Sequence, residues 1–142
     1  MGQIYEAKCF SCGHGFKFSR GCSMFDCTAH GRKEHKEKIL GGMFGVTLKD
    51  VAKKHPDAII SYSQELFYCE SCNKYQNLAR YKIYDSAPGK EGDLLAISNY
   101  ACKLCYKPLQ IIGDNAYSFT PNWLVCPHCK ELARVELEML FD

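Results

Sequence analysis

Residues 58–84 read AIISYSQELFYCESCNKYQNLARYKIY, a run of alternating and aromatic residues on either side of the unit CESC. Aromatic and β-branched residues at a period of two favour strands, and two thiols separated by two residues favour a tight turn. The stretch therefore predicts strand, knuckle and returning strand. The same grammar recurs in residues 5–18 (YEAKCFSCGHGFKF), 99–112 (NYACKLCYKPLQII) and 122–141 (NWLVCPHCKELARVELEMLF). Gly13 and Gly15 follow the first knuckle, where glycine admits a positive φ. The chain reads as a degenerate internal repeat of knuckles between strands.

Ten of the 142 residues are cysteine, and eight of these fall in four C-x-x-C units. A turn of this size aims both sulfurs at one point, so each unit supplies half of a tetrahedral four-cysteine site. The candidate metal ligands are thus Cys9, Cys12, Cys69, Cys72, Cys102, Cys105, Cys126 and Cys129, enough for two closed Zn2+ sites. Iron stays open as the ion, because thiolate pairs alone do not choose between the two metals. Residues 106–125 give the last two units a short separation of ribbon type, so Cys102 and Cys105 are expected to close with Cys126 and Cys129. Cys9 and Cys12 then close with Cys69 and Cys72 around residues 13–68, a long loop whose entropy grows only logarithmically. The crossed alternative joins Cys69 and Cys72 to Cys102 and Cys105 and leaves the first and last units to meet.

Disulfides are the rival use of so many cysteines. Residues 1–10 (MGQIYEAKCF) show no apolar signal-peptide core, and Glu6 stands where a myristoylation motif wants Ser or Thr. No apolar run approaches the length of a membrane span. The expectation is a cytoplasmic protein with no membrane contact, in a reducing compartment where paired cysteines mean metal or catalysis.

Between the first two units the texture changes. Residues 47–55 (TLKDVAKKH) predict a short helix with Thr47 as cap, Asp50 in capping-box spacing and Pro56 as the stop. Residues 30–38 (HGRKEHKEK) read as a solvated loop or helix face. Residues 85–93 (DSAPGKEGD), with Pro88, Gly89 and Gly92, read as a linker between modules.

The tandem knuckles resemble the zinc-ribbon superfamily. More narrowly they resemble small bacterial proteins with an N-terminal C-x-x-C-G, a Gly-x-x-Met-Phe segment and a C-terminal C-P-x-C-K ribbon. Cys9, Cys12, Gly13, Gly21, Met24, Phe25, Cys126, Pro127, Cys129 and Lys130 carry the likeness. It brings no activity with it. The expected fold is small, metal-stabilised and mainly β: two zinc-ribbon modules of short antiparallel strands, residues 1–88 and 89–142, with a helical, basic insertion in the first.

Cys22 and Cys27 lie outside both the four units and the resemblance. With His30 and His35 they form Cys-x4-Cys-x2-His-x4-His, competent for a third metal site but too short for a finger helix. The expectation is that both thiols pack as small buried hydrophobes and both histidines are solvated. His14 is read as a surface residue of its knuckle.

Residues 1–56 carry ten Lys/Arg and five Asp/Glu, and residues 57–142 carry eight and eleven, so +5 faces −3 within a total of +2. Two four-thiolate zinc sites add about −2 each and turn the total to about −2, which is no profile for a general polyanion binder. Lys8, Lys17, Arg20, Arg32, Lys33, Lys36 and Lys38 still offer a local basic patch. The leading expectation is a non-enzymatic zinc-binding protein that contacts nucleic acid or a protein partner. Tyr75, Tyr81, Tyr100, Tyr106 and Trp123 are either base-stacking platforms or core. The alternatives are a rubredoxin-like iron electron-transfer protein and a dithiol oxidoreductase. The latter needs a strand–C-x-x-C–helix unit that the sequence lacks. Four thiolates leave zinc no open position for hydrolysis, and no HExxH, GxSxG or phosphate-cradling glycine loop occurs.

Overall fold

A computed structural model describes residues 2–86, 92–112 and 122–141. β1 (Gly2–Lys8) and β2 (Gly15–Gly21) form a hairpin around the first knuckle, with Gly2 opposite Gly21 and Lys8 opposite Gly15. A 3-10 turn (Phe25–Cys27), α1 (Ala29–Leu40) and α2 (Val46–Lys54) follow. β3 (Ile59–Cys69) and β4 (Lys74–Tyr84) build the second hairpin, in unbroken register from Ile59 opposite Tyr84 to Cys69 opposite Lys74. At 11 residues each they exceed the short arms that the knuckle pattern suggests. β5 (Leu94–Ile97), β6 (Gln110–Ile111), β7 (Trp123–Val125) and β8 (Leu132–Phe141) complete a mainly β fold.

The strands share one antiparallel sheet in the order β5-β4-β3-β2-β1-β8-β7, with β6 paired to β3. The first and last strands are therefore neighbours. Gly2 lies opposite Phe141 and Lys8 opposite Arg134, with a register shift at Ile4/Tyr5. Alternation explains the pairing: Tyr5 and Ala7 of β1 and Ala133 and Val135 of β8 bury into one cluster with Phe18, Leu66 and Leu124. A second cluster, of Ile39, Leu48, Ala52, Ile60, Tyr81 and Ile83, packs the helices on β3 and β4.

The junction of β2 and β3 has a single register pair, Gly21 opposite Gln64. Side chains complete it. The Asn77 amide accepts from the Ser19 backbone N–H at 2.7 Å and donates to the Ser19 carbonyl at 2.9 Å, standing in for a strand partner. Beneath it the Arg20 Nε donates to Glu65 Oε2 at 3.0 Å with both residues buried. A charge so desolvated needs compensation, so losing either partner removes the opposite charge that offsets the other's burial.

Both helices differ from expectation in detail. α2 forms where predicted, but it begins at Val46 from Gly45 (φ 97°), which has no side-chain cap, rather than from a Thr47 cap. Residues 30–38 are helical, and they are not wholly solvated. Thr28 caps α1 by accepting the Gly31 N–H, and Gly31, His35 and Ile39 bury one stripe at a spacing of four. Gly31 is required there because a Cβ would stand 2.0 Å from the Phe25 carbonyl oxygen. Residues 87–91 of the stretch expected to link two modules lie outside the described residues, and its flanks are antiparallel neighbours. β4 pairs β5, and the Asp85 N–H donates to the Asp93 carbonyl at 2.9 Å. The boundary expected between residues 88 and 89 lies outside the described residues.

Candidate metal centre

The four knuckles are one backbone device repeated. The residue after the second cysteine has positive φ in each: Gly13 (77°), Asn73 (51°), Tyr106 (61°) and Lys130 (68°). In three of the four, hydrogen bonds close the loop: Gly13 N–H to the Cys9 carbonyl at 2.9 Å, Tyr106 to Cys102 at 2.8 Å, and Lys130 to Cys126 at 3.0 Å. This left-handed step turns the chain back on itself and points both sulfurs inward. Glycine, which takes that conformation freely, fills only one of the four places.

The eight cysteines gather into two tetrads: Cys9, Cys12, Cys126 and Cys129, and Cys69, Cys72, Cys102 and Cys105. This overturns the pairing expected from loop length. The first unit meets the last, and the middle two units meet each other. The physical reason is the β1–β8 ladder, which brings the ends of the chain together whatever the sequence separation, while β6 docks the third unit on β3. Each tetrad consequently draws one knuckle from residues 1–88 and one from residues 89–142.

All four sulfurs of a tetrad lie within 4.8 Å of one another. Cys9 and Cys129 are 3.5 Å apart and Cys12 and Cys126 3.7 Å; in the second tetrad the corresponding distances are 3.4 Å for Cys69–Cys105 and 3.9 Å for Cys72–Cys102. A tetrahedral ion with metal–sulfur bonds of about 2.3 Å needs sulfur–sulfur edges of about 3.8 Å, so both donor sets fit a metal ion. Cys9, Cys126, Cys69 and Cys102 are buried, each under 2 % exposed, so the first cysteine of every unit is the inner donor.

The thiols show what such crowding demands. The backbone N–H of Cys12 holds Cys9 down to about 7, and the N–H groups of Cys105 and Leu104 hold Cys102 down to about 6. Cys72 is pushed up to about 12, first by Cys105 and then by burial. Cys129 also rises to about 12, because burial and its three neighbouring thiols outweigh the N–H of Glu131. One thiolate forms readily in each tetrad, whereas Cys72 and Cys129 need a compensating cation to ionise.

The tetrads touch through side chains. The Asn73 Nδ2, beside Cys72, donates to the Cys126 carbonyl at 3.1 Å, and the Tyr75 hydroxyl donates to the Val125 carbonyl at 2.8 Å. Nothing in the spacing announces this bridge.

Cys22, Cys27, His30 and His35 do not converge. Cys22 and Cys27 lie 3.4 Å apart, but neither is buried: Cys22 is partly covered and Cys27 exposed. His30 is exposed beside Glu34 at 3.2 Å. His35 is buried, with Nε2 at 2.7 Å from Asp26 Oδ1 and Nδ1 at 2.7 Å from the Tyr81 hydroxyl. Burial works against Asp26, yet bonds from His35 and Ser23 hold its carboxyl below the usual value. The four-residue spacing of Gly31, His35 and Ile39 was the available sign that His35 faces inward. His14 is half-buried and stacks on His128 at 5.6 Å. Of the aromatics considered for stacking, Tyr81 is core, Tyr75 and Tyr100 are half-buried, and Tyr106 and Trp123 are exposed.

No protein family, curated protein or solved structure matches the chain. No helix among the described residues is long and apolar enough to cross a membrane.

Proposed function

We propose that this is a cytoplasmic, non-enzymatic zinc protein of ribbon type, in which two closed Zn(Cys)4 sites stabilise the sheet and α1 contacts nucleic-acid phosphates. The observation that carries it is the convergence of four sulfurs in each tetrad at tetrahedral spacing. Four thiolates saturate zinc, leave no position for water and make the ion a structural clamp. Cys9, Cys12, Cys126 and Cys129 hold one ion, and Cys69, Cys72, Cys102 and Cys105 the other.

Support for the nucleic-acid contact comes from the surface of α1. Arg32, Lys33 and Lys36 line a shallow groove with Ala58, Ile59 and Ile60, and Lys38 adds a further exposed cation on the same helix. Lys36 also reaches the Pro56 carbonyl, so Arg32 and Lys33 are its freer charges. Phosphate contacts release condensed counterions, so affinity for single-stranded and duplex DNA and RNA should fall steeply with salt. Changing Arg32, Lys33 and Lys36 together to Glu should abolish that binding at unchanged metal content. No binding even at low salt would remove the nucleic-acid reading and leave a protein partner. Elemental analysis of protein purified without chelator should give about two zinc per chain. Iron with visible charge-transfer absorption would instead favour the rubredoxin-like alternative.

A further inference from the structure

Cys22 and Cys27 are the two cysteines that the tetrads do not use, and their sulfurs stand 3.4 Å apart. Their placement is built rather than incidental. Gly21 turns the chain at the end of β2 with φ 87°, and Cys27 closes the 3-10 turn before α1. Between them the Asp26 carboxylate accepts from the Ser23 N–H at 3.0 Å and from its hydroxyl at 2.9 Å. It is tied in addition to His35 and through it to buried Tyr81. Groups other than the two cysteines thus hold the turn that sets the sulfurs side by side. Among the described residues no third His, Cys, Asp or Glu joins them to make a metal cluster. Two adjacent sulfurs with no third ligand suit thiol–disulfide chemistry better than coordination. Cys27 is exposed, so a reagent from solution reaches the pair through it.

We propose that Cys22 and Cys27 form a redox-active dithiol, which low-molecular-weight disulfides such as glutathione disulfide oxidise to an intramolecular disulfide while the tetrads keep their metal. In the first step the Cys27 thiolate attacks one sulfur of glutathione disulfide, the S–S bond breaks, and one glutathione thiolate leaves. In the second, Cys22 gives its proton to solvent, attacks the Cys27 sulfur of the mixed disulfide, and expels the second glutathione thiolate. Two protein thiols are oxidised to one disulfide, one glutathione disulfide is reduced to two glutathione molecules, and the two cysteine protons end on those thiols. Burial, followed by the influence of Cys27, pushes the Cys22 thiol up to about 11. That suits it to the second, intramolecular step, where proximity offsets a small thiolate fraction. The eight tetrad cysteines are withheld only if they bind metal, so this selectivity rests on the zinc reading, whereas the dithiol itself does not.

The test incubates the full, metal-loaded chain with glutathione disulfide, then reads intact mass, alkylated peptide maps and metal content. The expected product is lighter by two hydrogens, about 2 Da. Its Cys22 and Cys27 are joined in one peptide, its metal is retained, and dithiothreitol reverses the change. In Cys22→Ser the mixed disulfide has no closing thiol, so a glutathione adduct should persist on Cys27 that the parent chain does not keep. Circular dichroism and metal content equal to the parent's confirm that the variant folds. A parent chain that stays reduced, or that holds a stable adduct on Cys27, overturns the dithiol. Oxidation that begins at tetrad cysteines in a metal-loaded chain overturns the selectivity, and a chain that never bound metal shows up separately in the elemental analysis.

Discussion

Around Cys9, Cys12, Cys126 and Cys129 both knuckles are hairpin tips, and the strands behind them, β1 and β8, are laddered to each other. Around Cys69, Cys72, Cys102 and Cys105 only one knuckle has that support. β3 and β4 carry Cys69 and Cys72, while Cys102 and Cys105 sit in a loop held by the bridge between Ala101 and Pro108 and the two-residue strand β6. The first tetrad also gathers units that are far apart in sequence, whereas the second gathers neighbouring ones. A bound ion would thus do two jobs: a clamp across the whole sheet, and an anchor for a segment with few strand hydrogen bonds of its own.

Acid offers the largest perturbation of that comparison. Zinc needs thiolates, so affinity rises with pH and is lost as pH falls and protons compete. Backbone N–H groups hold Cys102 and Cys9 below the usual thiol value, so each tetrad keeps one thiolate toward neutral pH and loses it as pH falls further. On titration downward with a zinc-sensitive dye both ions should be released; zinc release in a single step would mean that the two tetrads open together, and two separated steps that strand bracing distinguishes them.

Replacing single ligands should separate the clamp from the anchor. Cys126→Ser should lower zinc from about two per chain to about one and cost on the order of several kcal/mol, since each structural zinc contributes about 10 kcal/mol in small finger peptides. Cys105→Ser should remove the other ion, with hydrogen exchange rising chiefly in residues 98–112. Global unfolding by both variants alike would show that the two regions form one cooperative unit.

Gly31→Ala tests the basic insertion apart from either tetrad. With a carbonyl oxygen 2.0 Å from the new Cβ, α1 must shift away from the 3-10 turn. A loss of about 2 kcal/mol in urea unfolding is expected, at unchanged zinc content. Asn73→Ala removes the bridge to Cys126 and the partner of the Tyr68 hydroxyl. It should cost about 1–2 kcal/mol, and chelator should then strip the two ions more independently than in the parent. The smallest effect is a gain. Tyr106→Gly and Lys130→Gly relieve left-handed backbone at exposed positions and should each stabilise by about 0.5–1 kcal/mol in thermal unfolding.

How much was legible depended on how local the cause was. The strands on either side of CESC follow from alternation, and α2 from the stop at Pro56, although the capping signal at Thr47 and Asp50 is not the one its start uses. His35 was misread because residues 30–38 are so polar that the stripe of Gly31, His35 and Ile39 hardly registers. Its burial depends on Asp26 and Tyr81, which arrive from other elements. The Arg20–Glu65 pair was likewise illegible, since in sequence each residue is an ordinary surface charge and only the β2–β3 seam encloses them.

By itself the sequence determined the four knuckles and the eight cysteines they present, because a C-x-x-C turn is made within a handful of residues. Which knuckle meets which was decided by the tertiary structure alone. Loop-closure entropy favours near neighbours, but it varies only logarithmically with length, and β1 pairing with β8 along its whole length outweighs it. The same ladder carries the first unit to the last and leaves the middle two to each other.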